Sequence, residues 1–349
     1  MTSPGSSSWV STQLLHWYDI NKRDLPWRST KDPYSIWLSE IIFQQTRIDQ
    51  GTKYYHSFKE NFPDIHSLAS SDDELVMKLW EGLGYYNRAR NLLFTARYIS
   101  KELGGVFPDK YSDLLKLKGV GEYTAAAVSS VCYKEVQAAV DGNVLRVLSR
   151  FYSDKTAIDS SPAKKYYRML AQALVDHNEP GDFNQAMMDL GSGVCKPRNP
   201  ECEICPLATR CSALKEGEQT SYPVKIQKRK VKDRFLNYFV IEISNKVFIR
   251  KRDTNDIWPE LFEFPLIEGK ISNDQLLIDF QEKFRVKISS LPSPQTKVHL
   301  LSHQRLTIQI FRIILDEAKE FDLKGFILID FKNLALKAFP RPLQNLSLR

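Results

Sequence analysis

The chain has 349 residues, 42% of them hydrophobic, with a formal net charge of +7 and a pI near 9.0. That length can bury more than one core, so several domains are expected, and the basic balance suits a polyanionic partner without specifying it. Neither a secretory signal nor a long apolar run is present, which argues against secreted and membrane-spanning classes and makes a reducing, cytoplasmic setting the expectation.

The polar start, Met1 to Ser8, reads as a flexible tail. Apolar residues then recur three and four apart and predict helices over 9–17, 36–58, 73–81, 88–103, 121–131, 144–149, 163–175 and 183–190. Near residue 215 the composition changes to a charged linker, 215–234, which contains the basic run Lys225-Ile226-Gln227-Lys228-Arg229-Lys230. Beyond it the period becomes strand-like over 235–243, 247–251 and 306–310, with one helix at about 273–284. The predicted organisation is an all-α front over 1–214, a basic linker, and an α+β rear over 235–349.

Four cysteines fall in one loop at the end of the front part: Cys195, Cys202, Cys205 and Cys211, spaced C-x6-C-x2-C-x5-C. Thiolates this close can hold a tetrahedral zinc ion or an iron–sulfur cluster, and a reducing compartment disfavours two disulfides. Cys132, among small apolar residues, reads as packing. Upstream, Leu114 to Ala126 reads as helix, tight turn, helix, with Gly119-Val120-Gly121 at the bend. Such a turn brings backbone close to another molecule and aims free N–H groups at it, which suits a DNA phosphate.

Some residues read two ways. Glu40, Gln44 and Arg47 fall at i, i+4, i+7, the spacing of a solvated helix face, yet Ile36, Ile41, Ile42 and Phe43 could surround Glu40 and raise its pKa. Asp141, before Gly142 and Asn143, reads as a helix N-cap. Tyr85, beside Gly82 and Gly84, is either helix packing or an exposed flat ring.

Taken together, these runs resemble the MutY-type adenine DNA glycosylases of the helix-hairpin-helix superfamily. The matching stretches are Leu25-Pro26-Trp27-Arg28, Trp37 to Thr46, Trp80 to Tyr86, the glycine hairpin, Val140 to Arg146 and the four cysteines, and the match extends through the rear domain. The resemblance implies a multidomain fold, with an all-α helix-hairpin-helix glycosylase domain followed by a Nudix-like α+β domain. It implies hydrolytic removal of undamaged adenine mispaired with 8-oxoguanine or guanine in double-stranded DNA, by a monomer acting in the cytoplasm at the nucleoid.

The roles follow residue by residue. Cys195, Cys202, Cys205 and Cys211 would hold a [4Fe–4S] cluster that braces a DNA-binding loop bearing Lys196, Arg198 and Arg210. Glu40 would protonate adenine at N7, Asp141 would stabilise the oxocarbenium-like sugar, and Tyr123 and Asn143 would hydrogen-bond within the site. Lyase relatives carry a lysine at the Tyr123 position; a phenol forms no Schiff base, so base removal without strand cleavage is expected. Leu25, Trp27, Arg28 and Gln185 would surround the flipped base, and Gln45 and Tyr85 would wedge into the duplex. Gly119, Val120 and Gly121 would contact the DNA backbone.

In the rear domain Ser302 and His303, within His299 to His303, would read 8-oxoguanine. The acidic helix of Nudix hydrolases is missing around 269–287, so pyrophosphate hydrolysis is not expected. Two rival readings are an endonuclease III-like glycosylase/lyase for oxidised pyrimidines, opposed by Tyr123 and the rear domain, and a non-catalytic mismatch-binding protein, opposed by the pair Glu40 and Asp141.

Overall fold

The computed structural model describes residues 4–226, 231–315 and 323–344; Gln227 to Lys230 of the predicted basic run and the first three residues of the predicted tail lie outside the described residues. The chain divides into two compact units, Met1–Ser70 with Asn91–Gln227, and Ser71–Arg90 with Lys228–Arg349. Among the described residues no helix is long and apolar enough to cross a membrane.

In chain order the helices up to residue 189 are α1 (Pro4–Asn21), α2 (Pro33–Phe43), α3 (Ile48–Asn61), α4 (Ile65–Ala69), α5 (Asp73–Leu79), α6 (Asn87–Glu102), α7 (Tyr111–Leu114), α8 (Glu122–Tyr133), α9 (Gly142–Phe151), α10 (Ser161–Gln172) and α11 (Pro180–Asp189). Helix α1 starts at Pro4, so the predicted polar tail is largely helical. The single helix predicted over 36–58 is broken. Asp32 caps α2 by accepting from the backbone N–H groups of Tyr34 and Ser35, and the helix ends at Phe43 because Gln44 leaves helical geometry and Gln45 takes a left-handed φ of 58°. This break leaves Glu40 in the last turn of α2, close to a helix end.

The core of the first unit packs α1, α9, α10 and α11 through Leu14, Val144, Leu148, Tyr167, Phe183 and Leu190. Burying each such side chain contributes about 2 kcal/mol, so α9 is held on several sides. Cys195, Cys205 and Cys211 pack against the same core, which places the cysteine loop against the helix that begins at Asp141.

The second unit is built on a mixed sheet. Its strands are β1 (Lys232–Ile243), β2 (Lys246–Lys251), β3 (Phe262–Glu263), β4 (Leu266–Glu268), β5 (Gln295–Leu300), β6 (Gln304–Leu315) and β7 (Ile327–Asp330). The order is β3-β2-β1-β6-β5, with β4 also on β1 and β7 on β2. Strands β1 and β6 run parallel from Lys232↔Gln304 to Ile243↔Leu315, and the other pairings are antiparallel. Ser244 and Asn245 both take positive φ, as a tight β1–β2 hairpin requires. A further helix, α12 (Asn273–Phe284), occupies the predicted span and packs Phe280 against Phe239 of β1 with ring centroids 4.6 Å apart. Strands β3, β4, β5 and β7 were not among the predicted strands.

Candidate active site

The last turn of α2, the start of α8 and the start of α9 enclose a cavity of about 610 Å³ in the first unit. Glu40, Gln45, Gly121, Tyr123 and Asp141 all line it, together with Phe43, Leu145, Lys164 and Arg168. That volume suits a nucleoside-sized ligand. The surface reading of Glu40 from its spacing is overturned, because segments distant in sequence close over that face of α2.

Burial pushes the Glu40 carboxyl up to about 7; the charge of Asp141 adds to this, while a hydrogen bond with Tyr123 and the charge of Arg28 oppose it. The Tyr123 phenol is itself held well above its usual range, first by burial and then by Glu40 and Asp141. Its hydroxyl lies within reach of Glu40 and 3.0 Å from Met188 Sδ. A carboxyl titrating near 7 is half protonated at neutral pH, which is the condition for a general acid. The rate of any step needing that proton is therefore expected to be flat at acid pH and to fall about tenfold per unit as pH rises above 7. Single-turnover rates between pH 5.5 and 9 check this, and a limb that rises through pH 7 would remove Glu40 as the acid.

Asp141 caps α9. One carboxylate oxygen accepts from the backbone N–H groups of Asn143 (2.9 Å) and Val144 (2.8 Å), and the other accepts from Asn143 Nδ2 (2.7 Å). Asn143 is oriented in turn by Arg146, which donates to Asn143 Oδ1 (2.8 Å), Gly191 O (2.6 Å) and Cys195 O (2.8 Å). Gly191 is required there, since a Cβ would sit 2.6 Å from that of Asn143. One turn further, Arg150 donates to Lys196 O (2.7 Å), Pro197 O (3.1 Å) and Cys195 Sγ (3.4 Å). Helix α9 thus joins the carboxylate at its start to the cysteine loop at its end. Both arginines were missed from sequence, although two guanidinium groups four apart on a helix that also carries Val144, Val147, Leu148 and Phe151 for the core imply fixed acceptors nearby.

Other predicted residues lie elsewhere. Leu25 and Trp27 are buried; Trp27 stands behind Phe43 with ring centroids 4.3 Å apart, not on the cavity wall. Arg28 makes a two-point contact with Asp189 (2.6 and 2.8 Å) and, with Gln185, lines a separate cleft of about 140 Å³. Gln185 accepts from the Tyr18 hydroxyl. Asp189, which also pairs with Arg23, was missed as well; it is a buried acidic residue whose partners are far away in sequence. Gly119 takes the left-handed φ of 82° that the hairpin turn needs, and Gly121 begins α8 with its Cα face open.

The four thiols of the cysteine loop lie near one another: Cys205 feels Cys195, Cys211 and Cys202, and burial pushes its thiol up to about 12. None is in a disulfide. A four-iron cluster takes one cysteine thiolate per iron, and this loop presents four cysteines that lie near one another. The donor set therefore fits the cluster, which Cys195, Cys202, Cys205 and Cys211 would hold.

In the second unit, Ser302 and His303 form the exposed tip between β5 and β6, with Ser302 Oγ 3.2 Å from His303 Nδ1. Tyr85 is 54% exposed and has a left-handed φ of 49°.

Comparison with known proteins adds three family matches. Residues 38–174 match the HhH-GPD superfamily of base excision DNA repair proteins, 195–211 the iron–sulfur binding domain of endonuclease III, and 237–348 the NUDIX domain. The segment 195–211 runs from the first to the last of the four cysteines and carries an iron–sulfur cluster. The chain is 35% identical over 345 residues to the adenine DNA glycosylase of Buchnera aphidicola subsp. Acyrthosiphon pisum, spanning 97% of both proteins. It is 31% identical over 362 residues to the human protein of that name, covering 87% of this chain and 66% of the human one. Among solved structures, a thermostable thymine-DNA glycosylase matches with a TM-score of 0.56 and 30% identity over 60% of this chain and 97% of its own. An endonuclease III–DNA complex, at 22% identity and a TM-score of 0.53, shares the fold over 62% of this chain and 99% of its own.

Proposed function

The chain belongs to the adenine DNA glycosylase family, and on that premise we propose that it excises adenine mispaired with 8-oxoguanine, or with guanine, from duplex DNA as a monomer. The observation that carries this reading is the pair of carboxyls on one cavity, Glu40 raised to about 7 and Asp141 fixed by three hydrogen bonds. Adenine leaves the stack and enters the cavity, at an unstacking cost of a few kcal/mol. Glu40 gives its proton to N7 as the C1′–N9 bond breaks, and the bond's electron pair goes to the base. Asp141 stabilises the cationic sugar until water adds to C1′ and its proton passes to the Glu40 carboxylate. Tyr123 keeps Glu40 in place, and having no amine it forms no Schiff base, so the strand stays intact.

The iron–sulfur cluster has a structural part in this account: it braces the loop whose carbonyls hold Arg146 and Arg150, and through them Asn143 and Asp141. Lys196, Arg198 and Arg210 meet DNA phosphates, as do the hairpin residues Gly119, Val120 and Gly121, and these contacts position without reading sequence. Gln45 and Tyr85 wedge the duplex. Arg28, backed by Asp189, biases the electrostatics at Glu40, with Leu25, Trp27 and Gln185 shaping its surroundings. In the rear domain, 235–349 beyond the linker 215–234, Ser302 and His303 read 8-oxoguanine. The setting is the cytoplasm, on chromosomal DNA.

Single-turnover base release from duplexes with a central 8-oxoguanine:A, G:A or T:A pair, or an oxidised pyrimidine, tests the reading. Adenine release from the first two with little borohydride trapping supports it; cutting of the oxidised pyrimidine with strong trapping would instead make the chain a lyase. Ser302→Ala is expected to lower the ratio of 8-oxoguanine:A to G:A rates by about fivefold, the worth of one hydrogen bond, while leaving the G:A rate near wild type. An unchanged ratio removes Ser302 from lesion reading.

A further inference from the structure

The segment Ser71–Arg90, which precedes most of the catalytic residues in sequence, clusters with the second unit. It carries Tyr85 at the end of a stiff loop. Gly82 (φ 95°), Gly84 (φ 74°) and Tyr85 itself take left-handed conformations. For Tyr85, which carries a Cβ, this conformation is unfavourable and needs surroundings that impose it. Those surroundings are visible. Trp80 Nε1 donates to Gly84 O (3.1 Å), the Gly82 N–H donates to the Tyr86 hydroxyl (3.2 Å), and Arg88 donates to Gly84 O (3.2 Å) while lying over the Trp80 ring.

The base of this loop is tied to a stretch more than 250 residues away, Lys337 to Phe339. Glu81 Oε1 accepts from the Phe339 backbone N–H at 2.8 Å, and Glu81 Oε2 pairs with Lys78 at 2.6 Å. Lys78 also donates to Lys337 O (3.2 Å), and Glu74 pairs with both Lys337 (2.6 Å) and Lys251 (3.1 Å). At the loop's far side Arg90 donates to Pro259 O (2.8 Å). The far stretch belongs to the sheet: Ala338 O accepts from the Phe262 N–H of β3, and the Phe339 ring stacks on Phe264. Both glutamates therefore face cations or an obligatory backbone donor fixed in the lesion-reading unit.

We propose that Glu81, supported by Lys337, is a positioning residue that fixes Tyr85 to the same rigid body as Ser302 and His303. Insertion of the ring and reading of the lesion are then one event, and a base that the tip does not engage leaves the wedge poorly seated. The proposal rests on the reading of Tyr85 as the wedge.

The test is a double-mutant cycle on the cluster-containing full chain, read by 2-aminopurine fluorescence beside an 8-oxoguanine:A pair and by single-turnover release. Tyr85→Ala alone should lower both signals. Glu81→Ala, which strands the Phe339 N–H, and Lys337→Met should each lower both by about fivefold, as expected for losing a partly buried hydrogen bond or ion pair. Combined with Tyr85→Ala they should add nothing, because they act through that ring. Glu81→Gln, which keeps an oxygen for Phe339, and Lys337→Arg should retain most of the signal. Effects that multiply with Tyr85→Ala, or a wild-type fluorescence signal in Glu81→Ala, overturn the proposal. A Tyr85→Ala variant with both signals intact overturns the wedge reading instead. If Glu81→Ala does not fold, Lys337→Met carries the same cycle.

Discussion

Glu40→Gln is expected to slow single-turnover adenine release by about a thousandfold or more while leaving affinity for the mispaired duplex within a few fold of wild type. The amide has nearly the same shape and can still hydrogen-bond Tyr123, so the cavity between α2, α8 and α9 should persist. What it lacks is a proton that can leave near pH 7. A deprotonated adenine anion is a poor leaving group, and without the raised Glu40 carboxyl the departing base has no such proton donor beside it. The variant should also lose the decline of rate above pH 7. Release within a few fold of wild type, or a variant that keeps the same pH limb, would assign the acid elsewhere.

Asp141→Asn isolates charge from capping. Asparagine is as good an N-cap as aspartate, so its side-chain oxygen should still accept from the start of α9 and stability should change by no more than about 1 kcal/mol. Asn143 Nδ2 and the new amide would face each other less well, which accounts for most of that cost. The catalytic loss should be far larger, about a hundredfold to a thousandfold, because a neutral amide cannot offset the charge of the cationic sugar. Thermal unfolding followed beside single-turnover release separates the two. A variant that melts far below wild type would show that Asp141 acts mainly as a cap, and one that melts normally and cleaves normally would take the carboxylate out of the chemistry.

Much of the architecture could be read before any coordinates, and the failures have physical causes. Helix α12 fell at its predicted span because its apolar period is bounded by a capping serine and a clear change of pattern. The break after Phe43 was invisible because neither glycine nor proline marks it; a glutamine takes the left-handed turn, and tertiary packing imposes it. Glu40 looked solvated because one helix face was judged alone, while its enclosure comes from Tyr123 and Asp141, supplied by residues about a hundred positions later. The short strands β3, β4 and β7 span too few residues to show an alternation. The pairing of Arg28 with Asp189 was not legible, since nothing in a local window pairs residues that far apart.

Arg146 has a consequence for how the protein is made. It orients Asn143 and hence Asp141, yet two of its acceptors, Gly191 O and Cys195 O, lie 45 and 49 positions further along the chain. A ribosome that has delivered α9 has therefore supplied Asp141 and its capping partners without the carbonyls that hold Arg146 against Asn143. The nascent front domain is chemically incomplete until the cysteine loop has emerged and closed over the arginines. A chain interrupted before residue 191 would thus carry Asp141 and the groups that cap it, but none of the carbonyls that hold Arg146 behind Asn143.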